Sequence, residues 1–148
     1  MIESNMKNKF GILFIAFAAL FLLPSAAKID GVGISFEHIR LNEAKELAKE
    51  TGKIIFIDCY TDWCGPCKRM AKTSFKNEEV GELYNDNFIN LKVEMEKNAD
   101  GPEIAKMYKI RAYPTLLMID SEGKLVKQVI GLQSKGDLIQ LANNVLQK

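Results

Sequence analysis

The sequence is short of several things that would each have settled its chemistry. It has one histidine, which is too few for a His-based metal site. It has three cysteines, which is too few for a fold built on disulfides. Charge of one sign is missing as well: 20 Lys and Arg face 19 Asp and Glu, a formal net charge of +1, so no basic field draws a nucleic-acid backbone. The chain carries no nucleotide-binding motif. Its apolar run from Phe10 to Leu23 is 14 residues long, against the roughly 20 that a spanning helix wants. What is present is 148 residues with 47% apolar and 26% charged side chains, enough for one domain with a real core and too apolar for a disordered chain.

Residues 1–27 read as an export signal. Lys7 and Lys9 form a basic start, the apolar run follows, and Pro24-Ser25-Ala26-Ala27 supplies small residues where a signal peptidase cleaves. The expected mature domain is 28–148, with 18 basic and 18 acidic side chains, in the periplasm or outside the cell. An uncleaved N-terminal anchor is the alternative. Export also places the cysteines in oxidising surroundings.

Along the remaining chain the pattern predicts alternating strands and helices. Ile34 to Ile39 reads as a short strand, and Asn42 as the N-cap of a helix that Gly52 stops. Ile54-Ile55-Phe56-Ile57 is a continuous apolar run, as in a strand buried on both faces. Gly65 to Phe75 reads as a helix, with Asn77 capping a further turn or two through Tyr84. Phe88 to Met95 alternates as a strand, with Asn90, Lys92, Glu94 and Glu96 on its polar side. A helix from Asp100-Gly101-Pro102 to near Tyr108, a hairpin of Thr115–Asp120 with Leu125–Ile130, and a helix from Ser134 to Leu146 complete the chain. The order β-α-β-α-β-α-β-β-α predicts parallel pairings between the helix-separated strands and an antiparallel final hairpin: an α/β fold with a mixed central sheet flanked by helices.

Trp63-Cys64-Gly65-Pro66-Cys67 follows the buried strand and opens a helix. Cys64 then stands at a helix N-terminus, where free backbone N–H groups favour a thiolate. Cys67 falls on the same helical side, more shielded from solvent, and Pro66 stiffens the loop between them. A thiolate at Cys64 can attack a client disulfide, and Cys67 can resolve the mixed disulfide. A zinc half-site is the alternative, but its remaining ligands would be Cys59 and His38, at poor spacing. No metal and no cofactor beyond the redox-active Cys64–Cys67 pair are expected.

Taken together these segments resemble the thioredoxin family over roughly Gly52 to Leu146. Ile57-Asp58 ahead of Trp63-Cys64-Gly65-Pro66-Cys67-Lys68 is similar to the family's active-site strand, loop and helix. Tyr113-Pro114-Thr115 resembles its cis-proline segment, and Val129-Ile130-Gly131 its terminal hairpin. Thr73 to Val80 is longer than in the small cytosolic members and more like exported thioredoxin-like proteins. The resemblance implies a thioredoxin fold. It also implies that Asp58 is a general base acting on Cys67 through a water, with Lys92 on the neighbouring strand tuning it. Trp63, Gly65, Pro66, Tyr113, Pro114 and Gly131 would then contact the client. Tyr113 departs from the small aliphatic or Thr residues common before this proline. Cys59, turned away from Asp58 by strand alternation, reads as a small core residue.

The expectation is an exported thiol–disulfide oxidoreductase that works as a monomer and reduces exported proteins. A membrane dithiol would supply its electrons, and nucleic acid is no partner. A disulfide oxidant or isomerase, and a client-binding module without turnover, are the alternatives.

Overall fold

A computed structural model describes residues 32–147. The expected signal or anchor at 1–27, and the domain boundary at 28, lie outside the described residues. The elements run α1 (Leu41–Thr51), β1 (Ile54–Tyr60), α2 (Gly65–Lys72), a 3-10 turn (Ser74–Lys76), α3 (Glu78–Asn87), β2 (Phe88–Glu94), α4 (Gly101–Met107), β3 (Thr115–Ile119), β4 (Leu125–Ile130) and α5 (Lys135–Leu146). The sheet has four strands in the order β2-β1-β3-β4. β1 pairs in parallel with β2 and antiparallel with β3, and β3 pairs antiparallel with β4.

β1 is central, which accounts for its unbroken apolar run. Alternation sends Ile55, Ile57 and Cys59 into one core with Leu41, Ala44 and Ala48 of α1 and Ile104 of α4. Phe56 points the other way, into a second core with Met70 of α2, Phe75, Val80 and Tyr84, and Leu138 and Leu141 of α5. Asp58 shares that second face by the period of two. The sheet is thus covered on both sides. This is why β2 does not keep the polar side its alternation suggests: Asn90 and Glu94 are buried beside Ile89, Leu91 and Val93.

Three expectations are corrected. Residues 34–39 form no strand; a single bridge joins Glu37 to Leu91. Side-chain amides take the backbone groups that a ladder would use. Asn85 Oδ1 accepts from Ser35 N at 2.8 Å, Asn85 Nδ2 donates to Gly33 O at 3.1 Å, and Asn90 Nδ2 donates to Ser35 O at 3.3 Å. Gly33 has φ +105°, and a Cβ on Gly81 would lie 2.5 Å from its backbone, so the segment lies directly on α3.

The second correction concerns direction, because β3 runs antiparallel to β1 although a helix precedes it. α4 has seven residues, a rise of about 10 Å. The seven residues of β1 extend about 23 Å. The connection therefore stays at one end of the sheet, where Thr115 pairs with Cys59. α2 likewise stops at Lys72, short of Phe75, because Thr73 leaves the helix at φ −123° and ψ −86°.

The third is the start of α1. Arg40, not Asn42, is the N-cap residue. The work of capping comes from elsewhere: Asp100 Oδ2 accepts from Leu41 N at 2.9 Å, and Glu43 accepts from Arg40 N at 3.0 Å. Asp100 Oδ1 also accepts from the Arg40 guanidinium through Nε, at 2.9 Å, and Nη2. That fork holds the Asp100 carboxyl below the usual carboxylate range, with the Leu41 N–H acting in the same direction. Asp100→Ala is expected to cost about 1–2 kcal/mol at pH 7, the scale of a lost helix cap. Because the folded pKa is depressed, this stabilisation is present above the ordinary pKa and fades as pH falls through the lowered value. Denaturation of parent and variant at pH 7 and at pH 3 is expected to show the gap narrowing in acid.

Candidate active site

β1 delivers the chain to a short loop, 61–63, from which α2 departs with Cys64 as its N-cap. Cys64 and Cys67 form a disulfide with Cα atoms 5.3 Å apart. Cys64 Sγ accepts from Cys67 N at 3.2 Å, so the sulfur occupies the place of a capping oxygen and meets a free donor of the first turn. Pro66 sits in that turn, where its missing N–H leaves no helix bond unmade. Both cysteines are 3% exposed, so the expected difference in shielding is not found in the disulfide form. Gly65 and Pro66 between them are exposed.

The loop before Cys64 is tied to the turn after β2. Glu94 is buried, and its carboxylate accepts from Asp62 N at 3.1 Å, Glu96 N at 2.9 Å and Lys97 N at 2.6 Å. Lys97 pairs with Asp62 across the same gap. Trp63 is 66% exposed, yet its Nε1 donates to Glu96 Oε1 at 3.1 Å, and its ring meets that of Tyr113 edge-on at 6.0 Å. Sequence reasoning placed Glu94 and Glu96 on the polar side of the strand with no part in the site, and missed Lys97. A signal was available in the parallel register, which sets Glu94 opposite Tyr60 at the mouth of the loop.

Asp58 lies on the sheet face that α2 covers. It is 1% exposed, pairs in register with Lys92, and accepts from Lys92 Nζ at 3.0 Å through Oδ2. Oδ1 has no hydrogen-bond partner among the described residues. Burial holds the carboxyl above its ordinary value, and the Lys92 charge offsets part of that rise. Cys59 is buried on the opposite face, where burial pushes its thiol well up and the charge of Asp58 adds to the effect, making it a poor nucleophile near neutrality.

The Tyr113–Pro114 peptide is cis. Pro114 O accepts from Gly131 N at 2.8 Å, which joins the loop before β3 to the end of β4. Gly131 has φ +93°, a conformation that disfavours side chains. On either side of it Ile130 and Leu132 are 60% and 44% exposed. The structure thus brings together Cys64 with Cys67, Asp58 with Lys92, Trp63 with Tyr113, and Pro114 with Gly131. Among the described residues no group of three or more His, Cys, Asp or Glu side chains is placed to hold a metal.

Comparison with known proteins gives a consistent picture. Residues 41–146 match the model of the thioredoxin-like domain. The chain is 35% identical over 95 residues to a thioredoxin of Alicyclobacillus acidocaldarius, covering 64% of this chain and 84% of that protein. It is 37% identical over 84 residues to the thiol:disulfide interchange protein DsbD of Pseudomonas fluorescens, covering 56% of this chain but only 14% of that protein. Of thioredoxin-T from Drosophila melanogaster it spans 53%. A solution structure of a proposed disulphide isomerase from Bacteroides thetaiotaomicron superposes with a TM-score of 0.69 at 39% identity, over 80% of this chain and 98% of the other. A thioredoxin from Thermus thermophilus superposes at 0.67 with 20% identity, over 76% and 88%, and speaks for the fold alone.

Proposed function

The chain belongs to the thioredoxin-like family, and from that premise we propose that it is an exported thiol–disulfide oxidoreductase that reduces client disulfides. The observation that carries this reading is the Cys64–Cys67 pair at the start of α2, with Cys64 Sγ already accepting a helix N–H. In the reduced protein the Cys64 thiolate attacks one sulfur of a client disulfide. A Cys64–client disulfide forms, the client S–S bond breaks, and the first client thiolate leaves to take a proton from water. Cys67 then passes its proton through a water to the Asp58 carboxylate and attacks Cys64 Sγ. The second client thiolate leaves, and the Cys64–Cys67 disulfide closes. Two electrons have passed to the client.

Asp58 suits the base role because its raised proton affinity brings it nearer to that of a thiol. Trp63, Tyr113 and the exposed Ile130 and Leu132 offer apolar surface for an extended client, and the backbone at residue 113 supplies its hydrogen bonds. Support for export comes from the sequence of residues 1–27, and an external dithiol at the membrane would return the electrons. Clients are misoxidised exported proteins or apocytochromes awaiting haem.

One observation favours net isomerisation instead, namely the 39% identity to a proposed disulphide isomerase. Equilibration of the purified protein with glutathione buffers separates the readings, since a reductant and an oxidant lie on opposite sides of that couple.

A further inference from the structure

The Lys92 ammonium lies among three aromatic rings. Its Nζ is 4.6 Å from the ring centroid of Tyr60, 5.4 Å from that of Phe36 and 5.4 Å from that of Phe75. The rings come from separate parts of the chain. Tyr60 ends β1, Phe75 belongs to the 3-10 turn, and Phe36 sits in the segment ahead of α1. Phe36 and Phe75 meet edge to face at 5.5 Å. Phe36 is fixed by the backbone on either side of it: Ile34 N donates to Phe75 O and Glu37 N to Asn90 O, each at 2.8 Å.

A lysine head on a four-carbon stem prefers water to one fixed place. Water is within reach here, since the Lys92 side chain is 26% exposed. Ring faces are negative, so they attract the ammonium without using its N–H groups, which stay free for the Asp58 carboxylate. Three rings on one cation and one carboxylate at 3.0 Å all favour this position of the ammonium.

We propose that Tyr60, Phe36 and Phe75 are positioning residues that hold the Lys92 ammonium on Asp58 and so set the proton affinity of the base. The inference rests on Asp58 being the base for Cys67. It makes the segment around Phe36 part of the redox site, although its residues lie far from the Cys-Gly-Pro-Cys motif in sequence. The one charged group that acts on Asp58 is Lys92 on β2, and the Asp58 charge in turn raises the thiol of Cys59 and the phenol of Tyr60 on β1. Asp62 in the neighbouring loop, Glu94 at the end of β2 and Lys97 in the turn after it reach Tyr60. Cys67 joins them only once reduced.

The test is the titration of Asp58 in the disulfide form, followed by carboxyl carbon-13 NMR and assigned with Asp58→Asn. It needs no turnover, so its outcome does not depend on what Asp58 does for Cys67. Tyr60→Leu is expected to raise the Asp58 midpoint by about half a pH unit, the equivalent of one lost cation–π contact. Tyr60→Phe keeps the ring and is expected to leave the midpoint in place. Phe36→Leu, a second variant at a separate site, is expected to shift it in the same direction as Tyr60→Leu. In a Lys92→Met background the same ring substitutions are expected to do nothing. Unmoved midpoints in both leucine variants would overturn the proposal. So would a shift that persists without Lys92, because the rings would then be acting on Asp58 by burial. Failure of the base reading shows separately, as parental turnover in Asp58→Asn.

Discussion

Replacing Cys64 by Ser is expected to abolish catalysed disulfide reduction, while Cys67→Ser is expected to stop it halfway with the client still attached. The asymmetry follows from position. Cys64 Sγ alone occupies the N-cap of α2 and accepts from the Cys67 N–H, so its negative charge is the one the helix start stabilises. Without it the remaining thiols are Cys67, which lacks that acceptor position, and Cys59, which is buried with its thiol pushed well up. The loss in Cys64→Ser is expected to be on the order of a thousand-fold or more, as for other covalent nucleophiles. With dithiothreitol as reductant and insulin as the test disulfide, turnover is expected to fall to the uncatalysed rate. In Cys67→Ser the same assay is expected to give a covalent adduct, found by mass spectrometry on Cys64. An adduct on Cys59, or residual turnover in Cys64→Ser, would contradict the assignment.

Asp58→Asn is expected to slow resolution of the mixed disulfide about a hundred-fold at pH 7, the low end of what a positioned base contributes. It is also expected to make the protein more stable at neutral pH. The carboxyl is 1% exposed, and its folded pKa is raised by burial. Between the ordinary value and the raised one the native state therefore binds more proton than the unfolded chain, so parental stability falls as pH rises through that interval. Asn carries no such charge. Lys92 does not become a stranded cation in the variant, because its side chain is 26% exposed and keeps the rings of Tyr60, Phe36 and Phe75. Guanidinium unfolding is expected to show parent and variant converging at pH 4 and the variant ahead at pH 8. A variant less stable at pH 8 would mean that the ion pair with Lys92 outweighs the cost of burying the carboxylate.

The elements that the sequence made legible are those whose signals are local. The four apolar residues at 54–57 lie in the central strand because a strand covered on both faces needs no polar side. Asn77 caps α3 through Val80 N at 3.2 Å, and Ser134 caps α5 through Asp137 N at 3.2 Å; both are short-range bonds a spacing rule can find. Alternation along β1 was enough to separate Cys59 from Asp58, and Lys92 reaches Asp58 through a register that two strand starts define.

What stayed hidden depends on residues distant in sequence. The cap of α1 comes from Asp100, 59 residues away from the N–H it accepts. Residues 34–39 have the composition of a strand, but Asn85 and Asn90 take over their backbone bonds. Glu94 reads as an outward residue of β2 until the loop before Cys64 is seen folding over it. The rings about Lys92 come from three separate parts of the chain, and only Tyr60 stands near its partner's register.

The most direct test of the account is the reduction potential of the Cys64–Cys67 pair, measured by equilibrating the protein with glutathione buffers of known poise. The expected result is a stable disulfide between these two residues with a potential near the thioredoxin value of about −270 mV. A potential near −180 mV or above, in the range of about −120 to −180 mV found for oxidants and isomerases, would contradict reduction as the net direction. Failure to form the 64–67 disulfide at any poise would contradict the enzyme itself and leave a protein that binds clients without exchanging electrons.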